Sequence, residues 1–273
     1  MKDHESGLQM PTARGGTPKL QPKRIGVVSR HYGLRYGNGR RDFSHVFWRA
    51  LTRLDDEGCD TVLFSLYTLD IRDPLPDLSL VEILEELGRQ NIRTVLIEEC
   101  KDGRKRKPSW FFIYFKKADR WSKYSFKQCF GRRRDFKDID KFVGDELPKR
   151  IMGSVCVLLC GEINGVEYSD GQIEDDYRLS ENIPTGVRII LNPAHDLMTR
   201  HEMEKKRRFL SKPGRVIISV WNKGKLFKDA KTGKRKQRKE SDPWLAFRGG
   251  DAIEVKRVAA KDLGVEMGIV DAA

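Results

Sequence analysis

Short runs of uninterrupted apolar residues, separated by stretches of helical periodicity, are the feature that most limits what this chain can fold into. Residues 24–29 (RIGVVS), 60–65 (DTVLFS) and 92–97 (IRTVLI) are three such runs. Between the first two, Phe43, Val46, Phe47, Ala50, Leu51 and Leu54 recur at helical spacing behind Asp42, and Gly58 closes the stretch. Between the second and third, Ser79 and Glu82 form a capping-box pattern around Leu80, Val81, Ile83, Leu84 and Leu87. Strand, helix, strand, helix, strand is the order of an α/β domain. Long buried strands of this kind need both sheet faces covered.

The pattern changes after residue 100. Residues 110–115 and 121–126 read as two aromatic strands joined by a polar loop, hence a hairpin. A charged loop follows to Arg150, then a strongly apolar strand at 154–160 (SVCVLLC) and a long acidic loop at 163–186 that holds Glu174, Asp175 and Asp176. Residues 187–191 and 215–221 (RVIISVW) read as strands on either side of a helix at 194–210, which Pro213-Gly214 stops. Residues 223–240 form a low-complexity basic loop, and 251–258 a final strand. This organisation predicts a flexible arm over 1–22, one α/β domain over 23–260 and a C-terminal tail over 261–273. A mixed sheet, or two stacked mixed sheets flanked by helices, fits the order.

Composition narrows the function classes. No apolar run reaches the roughly 18 residues needed to cross a bilayer, so no membrane is expected as a partner. The N-terminal stretch MKDHESGLQMPTARGGTPKLQPKR has no apolar core of a secretory signal. Five cysteines with no CxxC spacing argue against a disulfide scaffold and a zinc ribbon, so no metal is expected and a reducing cytoplasm is the natural location. Lys plus Arg is 53 against 40 acidic residues, a net charge of +13. The excess is local, with 17 basic and 7 acidic residues in 101–150, and 15 and 4 in 201–240. Such a field attracts polyanions or anionic substrates. It is also what a solvated surface looks like, and no nucleic-acid motif accompanies it, so nucleic acid is not the favoured partner.

The residues able to carry chemistry lie at strand ends. Cys160 ends an apolar strand and is followed by Gly161 and Glu162, a place where a thiol is exposed at the rim of an α/β sheet. Cys156, four residues earlier, shares its face on an extended strand at about 13 Å, too far for a disulfide. The plainer reading of a strand-end cysteine is a small hydrophobe. Lys127 ends the second aromatic strand; its ammonium either snorkels to the surface or stabilises an oxyanion in a pocket. His195 lies just past another strand end, in 192–196 (NPAHD), where it either activates Cys160 as a base or packs beside a helix cap. Arg132, Arg133 and Arg134 either hold a substrate carboxylate or phosphate or form a solvated turn.

Taken together, YSFKQCFG, VCVLLCGEIN, VRIILNPAHD and RRFLSKPGRVIISVWNKGK, with GCDTVLFS before them, resemble the nitrilase or carbon–nitrogen hydrolase superfamily over roughly residues 24–258. The resemblance implies an αββα sandwich, two stacked mixed β-sheets flanked by helices, whose subunits pair helix to helix into a dimer. It implies a Glu–Lys–Cys site that cleaves a small amide or nitrile through a thioester, with no metal or organic cofactor. Carried over, Cys160 is the nucleophile, Lys127 stabilises the tetrahedral intermediate, and a peptide N–H beside Cys160 contributes to an oxyanion hole.

The family's general base does not carry over. Its glutamate falls at Leu66, after Val62-Leu63-Phe64-Ser65, and leucine accepts no proton. Among replacements, Asp135 leads, eight residues after Lys127 where members of the family carry a second carboxylate. Glu162 follows the cysteine by two and holds the loop or serves the site; Glu98, Glu99 and Asp70 also lie near strand ends. Two functions follow: a cysteine amidohydrolase acting on a small, anionic amide or nitrile, or a fold that has lost catalysis and serves as a binding or scaffold protein.

Overall fold

The computed structural model describes residues 17–31, 44–66, 69–70, 80–100, 110–131, 136–195, 201–212, 214–224, 226–228, 233, 235–237 and 242–272. The larger sheet runs, in order, Lys256–Val258, Glu266–Asp271, Arg24–Ser29, Thr61–Phe64, Thr94–Cys100, Trp110–Lys117 and Arg120–Phe126, with Leu69–Asp70 beside Thr94–Cys100. The smaller runs Asp251–Ala252, Trp244–Arg248, Val216–Val220, Ile189–Pro193, Val155–Val157 and Ile151–Met152. Both are mixed: Arg24–Ser29, Thr61–Phe64 and Thr94–Cys100 are parallel, as are Val155–Val157, Ile189–Pro193 and Val216–Val220, while the outer strands add antiparallel pairs.

The period of two along each strand builds three apolar layers. Ile25, Val27, Leu63, Leu96, Phe111 and Ile113 of the larger sheet meet Val155, Val157, Ile189, Leu191, Val216 and Ile218 of the smaller one. The opposite face of the larger sheet, including Val28, Val62, Phe64 and Val95, is covered by Phe47, Ala50, Leu51 and Leu54 of the helix Ser44–Asp56 and by Leu80 and Leu84 of the helix Leu80–Glu86. The outer face of the smaller sheet, with Cys156, Ile190 and Ile217, is covered by Met203 and Leu210 of the helix His201–Ser211 and by Ile139, Phe142 and Leu147. Helix, sheet, sheet, helix is the expected αββα sandwich. Each fully buried large apolar side chain contributes about 1.5–3 kcal/mol. Gly26 lets the first helix lie close, since a Cβ there would stand 2.7 Å from the Leu54 side chain.

Several expectations about local structure are corrected. The presumed tail contains Glu266–Asp271, a strand paired antiparallel with Arg24–Ser29 inside the larger sheet. Met267 and Ile269 pack on the helix side and Val270 between the sheets, an alternation that short length and Gly268 hide in the sequence. Leu20, in the presumed arm, is buried, and its peptide bonds to Met152 and Ser154. The acidic loop holds a hairpin, Glu167–Ser169 with Gln172–Glu174, turned by Asp170-Gly171 at positive φ, and a short helix Leu179–Asn182 whose first N–H groups donate to the Asp175 carboxylate. The charged stretch before Arg150 is helical over Phe136–Lys141 and Leu147–Arg150. Within the basic stretch 223–240, Leu226–Lys228 and Arg235–Gln237 pair as a hairpin. The helix expected over 194–210 runs over His201–Ser211. The final strand expected over 251–258 divides between the two sheets: Asp251–Ala252 joins the smaller and Lys256–Val258 the larger. The basic turn that the sequence suggests over 101–107 lies outside the described residues. No helix of the described residues is long and apolar enough to cross a membrane.

Candidate active site

The parallel strands of both sheets finish at one end of the sandwich, where buried polar bonds close the sheets on each other. The Ser29 hydroxyl donates to the Trp221 carbonyl at 2.7 Å, and Ser65 donates to Asn222 Oδ1 at 2.6 Å. Asn222 Nδ2 donates to the Leu66 carbonyl at 2.6 Å, and the Leu66 N–H donates to the Ala194 carbonyl at 3.2 Å. Leu66 is therefore fully buried among the residues between the sheets. The position that the resemblance reserves for a glutamate is an apolar core position here.

Cys160 stands where the strand Val155–Val157 gives way to a short, tight 3-10 helix of two turns, Cys160–Gly165. Its φ of 24° is a left-handed value that a residue with a Cβ adopts only when its surroundings force it. Two features force it. Gly161 lies so close to Gly131 that a Cβ would meet the Gly131 carbonyl oxygen at 2.4 Å. Glu162, fully buried, accepts the Leu159 N–H at 2.8 Å, the Cys129 N–H at 2.9 Å and Arg150 Nη2 at 2.9 Å. Arg150 is equally buried and also donates to the Lys127 carbonyl. Of the two roles open to Glu162, holding the loop is the one these bonds describe.

The side chain that reaches Cys160 is His195. It follows the strand Ile189–Pro193 by two residues and lies near enough to the Cys160 sulfur for that sulfur to favour a proton on its ring. Its Nε2 stands 3.3 Å from Glu98 Oε2, with side-chain exposures of 18% and 5%. Glu98 comes from the other sheet. It lies two residues beyond Leu96, which faces the smaller sheet, so the period of two aims its carboxylate inward. Burial works against a charge on His195, but the nearby Cys160 sulfur and Glu98 carboxylate outweigh it and lift the imidazole from 6.5 to about 9. At neutral pH the ring is an imidazolium between a sulfur and a carboxylate.

The other candidates fall elsewhere. The Lys127 ammonium lies 4.3 Å over the Trp110 ring, and Trp110 packs with the helix-side cluster of the larger sheet. Lys127 is at the right end of the sandwich, but it makes no hydrogen bond with Cys160, so the expected pairing of ammonium and thiol is replaced by imidazole and thiol. Glu99 points away from Glu98 and accepts the Tyr114 hydroxyl at 2.6 Å. Asp135, Arg132 and Arg133, and the side chain of Asp70, lie outside the described residues. Cys156 is core, fully buried, and burial pushes its thiol up to about 12. Among the described residues no group of three or more His, Cys, Asp and Glu side chains is arranged to hold a metal ion.

No family model and no curated protein matches the chain. Solved structures similar to it include a carbon–nitrogen hydrolase from Helicobacter pylori, 10% identical over 92% of this chain and 89% of that one, with a TM-score of 0.47. Another is a Nesterenkonia amidase from the nitrilase superfamily, in an alanine-for-cysteine mutant form, 12% identical over 94% and 93%, with a TM-score of 0.48.

Proposed function

We propose that this chain is a cysteine hydrolase of the nitrilase type in which Cys160, His195 and Glu98 form the working triad, and that its substrate is a small amide or nitrile. The observation that carries the reading is the placement of His195, with its Nε2 3.3 Å from the Glu98 carboxylate and its ring beside the Cys160 sulfur, which with Glu98 favours the ring's proton. A nucleophile within hydrogen-bond reach of a base, with the base held by a third group, is the arrangement that activates a thiol. The left-handed φ of Cys160 and the buried Glu162–Arg150 anchor under its turn support the same reading.

For an amide, the proton of the Cys160–His195 pair is already held on His195 as the sulfur bonds to the carbonyl carbon. The tetrahedral intermediate collapses with rupture of the C–N bond, and His195 gives that proton to the departing nitrogen, leaving a thioester. Water then gives a proton to His195 and its oxygen attacks the thioester carbon. The C–S bond breaks and the acid leaves, with the proton from water held again on His195. The sum is amide plus water to acid plus ammonia or an amine. Glu98 orients the imidazole and stabilises its charged form, as the acid of a triad does.

The experiment is ammonia release across a panel of small amides and nitriles, with Cys160→Ala and His195→Ala as controls. Release by the wild type that both substitutions abolish supports the hydrolase. No release by the wild type supports the binding or scaffold alternative. The pairing into a homodimer belongs to the same proposal and is tested by light scattering at micromolar concentration.

A further inference from the structure

A second buried constellation lies behind the triad, and the steps above do not use it. Arg207, on the helix His201–Ser211, is fully buried on the outer face of the smaller sheet. Its Nε donates to Ser219 Oγ at 2.7 Å, its Nη2 to Asn192 Oδ1 at 3.4 Å and its Nη1 to the Met203 carbonyl at 3.2 Å. The Ser219 hydroxyl in turn donates to Asn192 Oδ1 at 3.0 Å. Asn192 Nδ2 donates to the carbonyl of Leu158 at 2.7 Å, and the Leu158 N–H donates to the Leu191 carbonyl at 2.9 Å.

The order of these bonds matters. An amide side chain has one accepting and one donating end, and it can flip. Two donors, Arg207 and Ser219, converge on Asn192 Oδ1, so its NH2 end is turned to Leu158. Leu158 stands two residues before Cys160, and Asn192 three before His195. The strands that carry nucleophile and base are thus locked to each other near their ends, by a network that includes a buried guanidinium.

We propose that Arg207 is the positioning residue of the Cys160–His195 pair, fixing through Ser219 and Asn192 the strand ends that present them and placing a buried positive charge behind the sulfur. The proposal rests on the triad reading above. Burial pushes the Arg207 guanidinium down to about 10, opposed in part by the Glu204 carboxylate, so it stays charged at neutral pH. Among the described residues, the charged groups around the sulfur include His195 with Glu98 from the strand ends, Arg207 from the helix, and the Arg150–Glu162 pair under the turn. A buried hydrogen-bonded cation is costly unless every partner is in place, which makes this network sensitive to single changes.

The test reads the rate of Cys160 alkylation by iodoacetamide against pH, with the modified cysteine located by mass spectrometry. Arg207→Met is expected to move the inflection for Cys160 up by about one pH unit, which is about tenfold in rate below it. Arg207→Lys, which restores the charge but not the fork, is expected to keep the inflection near the wild-type value. A profile of folded Arg207→Met that superimposes on the wild type overturns the proposal, as does an Arg207→Lys profile equal to the wild type in both inflection and plateau rate, since the fork would then be dispensable; any loss of plateau rate in Arg207→Lys supports it. If Arg207→Met does not fold, Ser219→Ala removes only the hydroxyl of the network; slower alkylation supports the proposal and an unchanged rate overturns it. Failure of the triad reading is separate: Cys160 in the wild type would then react no faster than Cys129, and His195→Ala would leave its profile unchanged.

Discussion

His195 Nε2 lies 3.3 Å from Glu98 Oε2, and the two residues belong to different sheets that share no paired strand. The contact exists because two periodicities coincide at one end of the sandwich. Leu96 and Glu98 share the inward face of their strand, and the chain leaving Ile189–Pro193 turns His195 toward the same gap. Glu98 thereby supplies a carboxylate from the strand next to Thr61–Phe64, the strand that leads to Leu66.

The first expectation concerns that carboxylate. In Glu98→Gln the shape is kept and the charge removed, so the imidazolium loses one of the two groups that hold it near pH 9. The His195 pKa, followed by NMR, should fall toward the ordinary histidine value. Hydrolysis should drop by about 10²–10⁴, the range for loss of a base or of the acid that orients it. Unchanged turnover with a shifted histidine would separate the ion contact from catalysis.

A second expectation is a pH dependence of stability. The folded pKa of His195 is raised, from 6.5 to about 9, so the unfolded chain releases this proton first as pH rises. Its contribution is fully present below about pH 6.5 and is lost as pH passes through about 9, and the shift corresponds to about 3 kcal/mol at most. The difference in unfolding free energy between the wild type and His195→Gln should therefore shrink from pH 6 to pH 10. A difference that stays constant over that range would deny the imidazolium its role in the fold.

Much of this fold was legible because its strands are buried on both faces and its first helices are strongly amphipathic. The runs at 24–29, 60–65 and 215–221 and the aromatic hairpin need nothing from the rest of the chain to be recognised. Glu266–Asp271 was not legible: a six-residue strand that contains Gly268 carries too little periodicity, and the pairing that makes it a strand comes from the far N-terminus. The site divides the same way. Cys160 and its turn follow from local motif, whereas the choice of Glu98 among the carboxylates depends on which residue of a neighbouring strand faces the gap. Leu96 was the available signal, since an inward apolar residue two positions earlier marks the face.

Glu162 offers a discriminating third test. Its carboxylate is fully buried against Arg150, so Glu162→Gln leaves a buried guanidinium without its counter-charge. Breaking one side of such a pair costs about 3–5 kcal/mol. The melting temperature should fall clearly, while in the protein that remains folded the pH profile of Cys160 alkylation should keep its His195-dependent inflection. Loss of that inflection without a loss of stability would make Glu162 a proton carrier instead of an anchor.

The last expectation runs against what the family resemblance alone would advise. Restoring the glutamate at position 66 looks like a repair of the Glu–Lys–Cys site. In this fold Leu66 is fully buried between the sheets, its N–H and carbonyl are committed to Ala194 and Asn222, and the Lys127 ammonium lies over Trp110 on the helix side. A glutamate there would bring a carboxylate into an apolar layer without an assigned cation. Taking up a polar group without a partner costs about 1–3 kcal/mol by mutational measures, and more if it stays charged. Leu66→Glu should therefore lower the melting temperature and give no gain in amide or nitrile hydrolysis. A stable Leu66→Glu variant with raised turnover would mean that the side chain reaches Cys160 after all, and that the triad of Cys160, His195 and Glu98 is not the one that works.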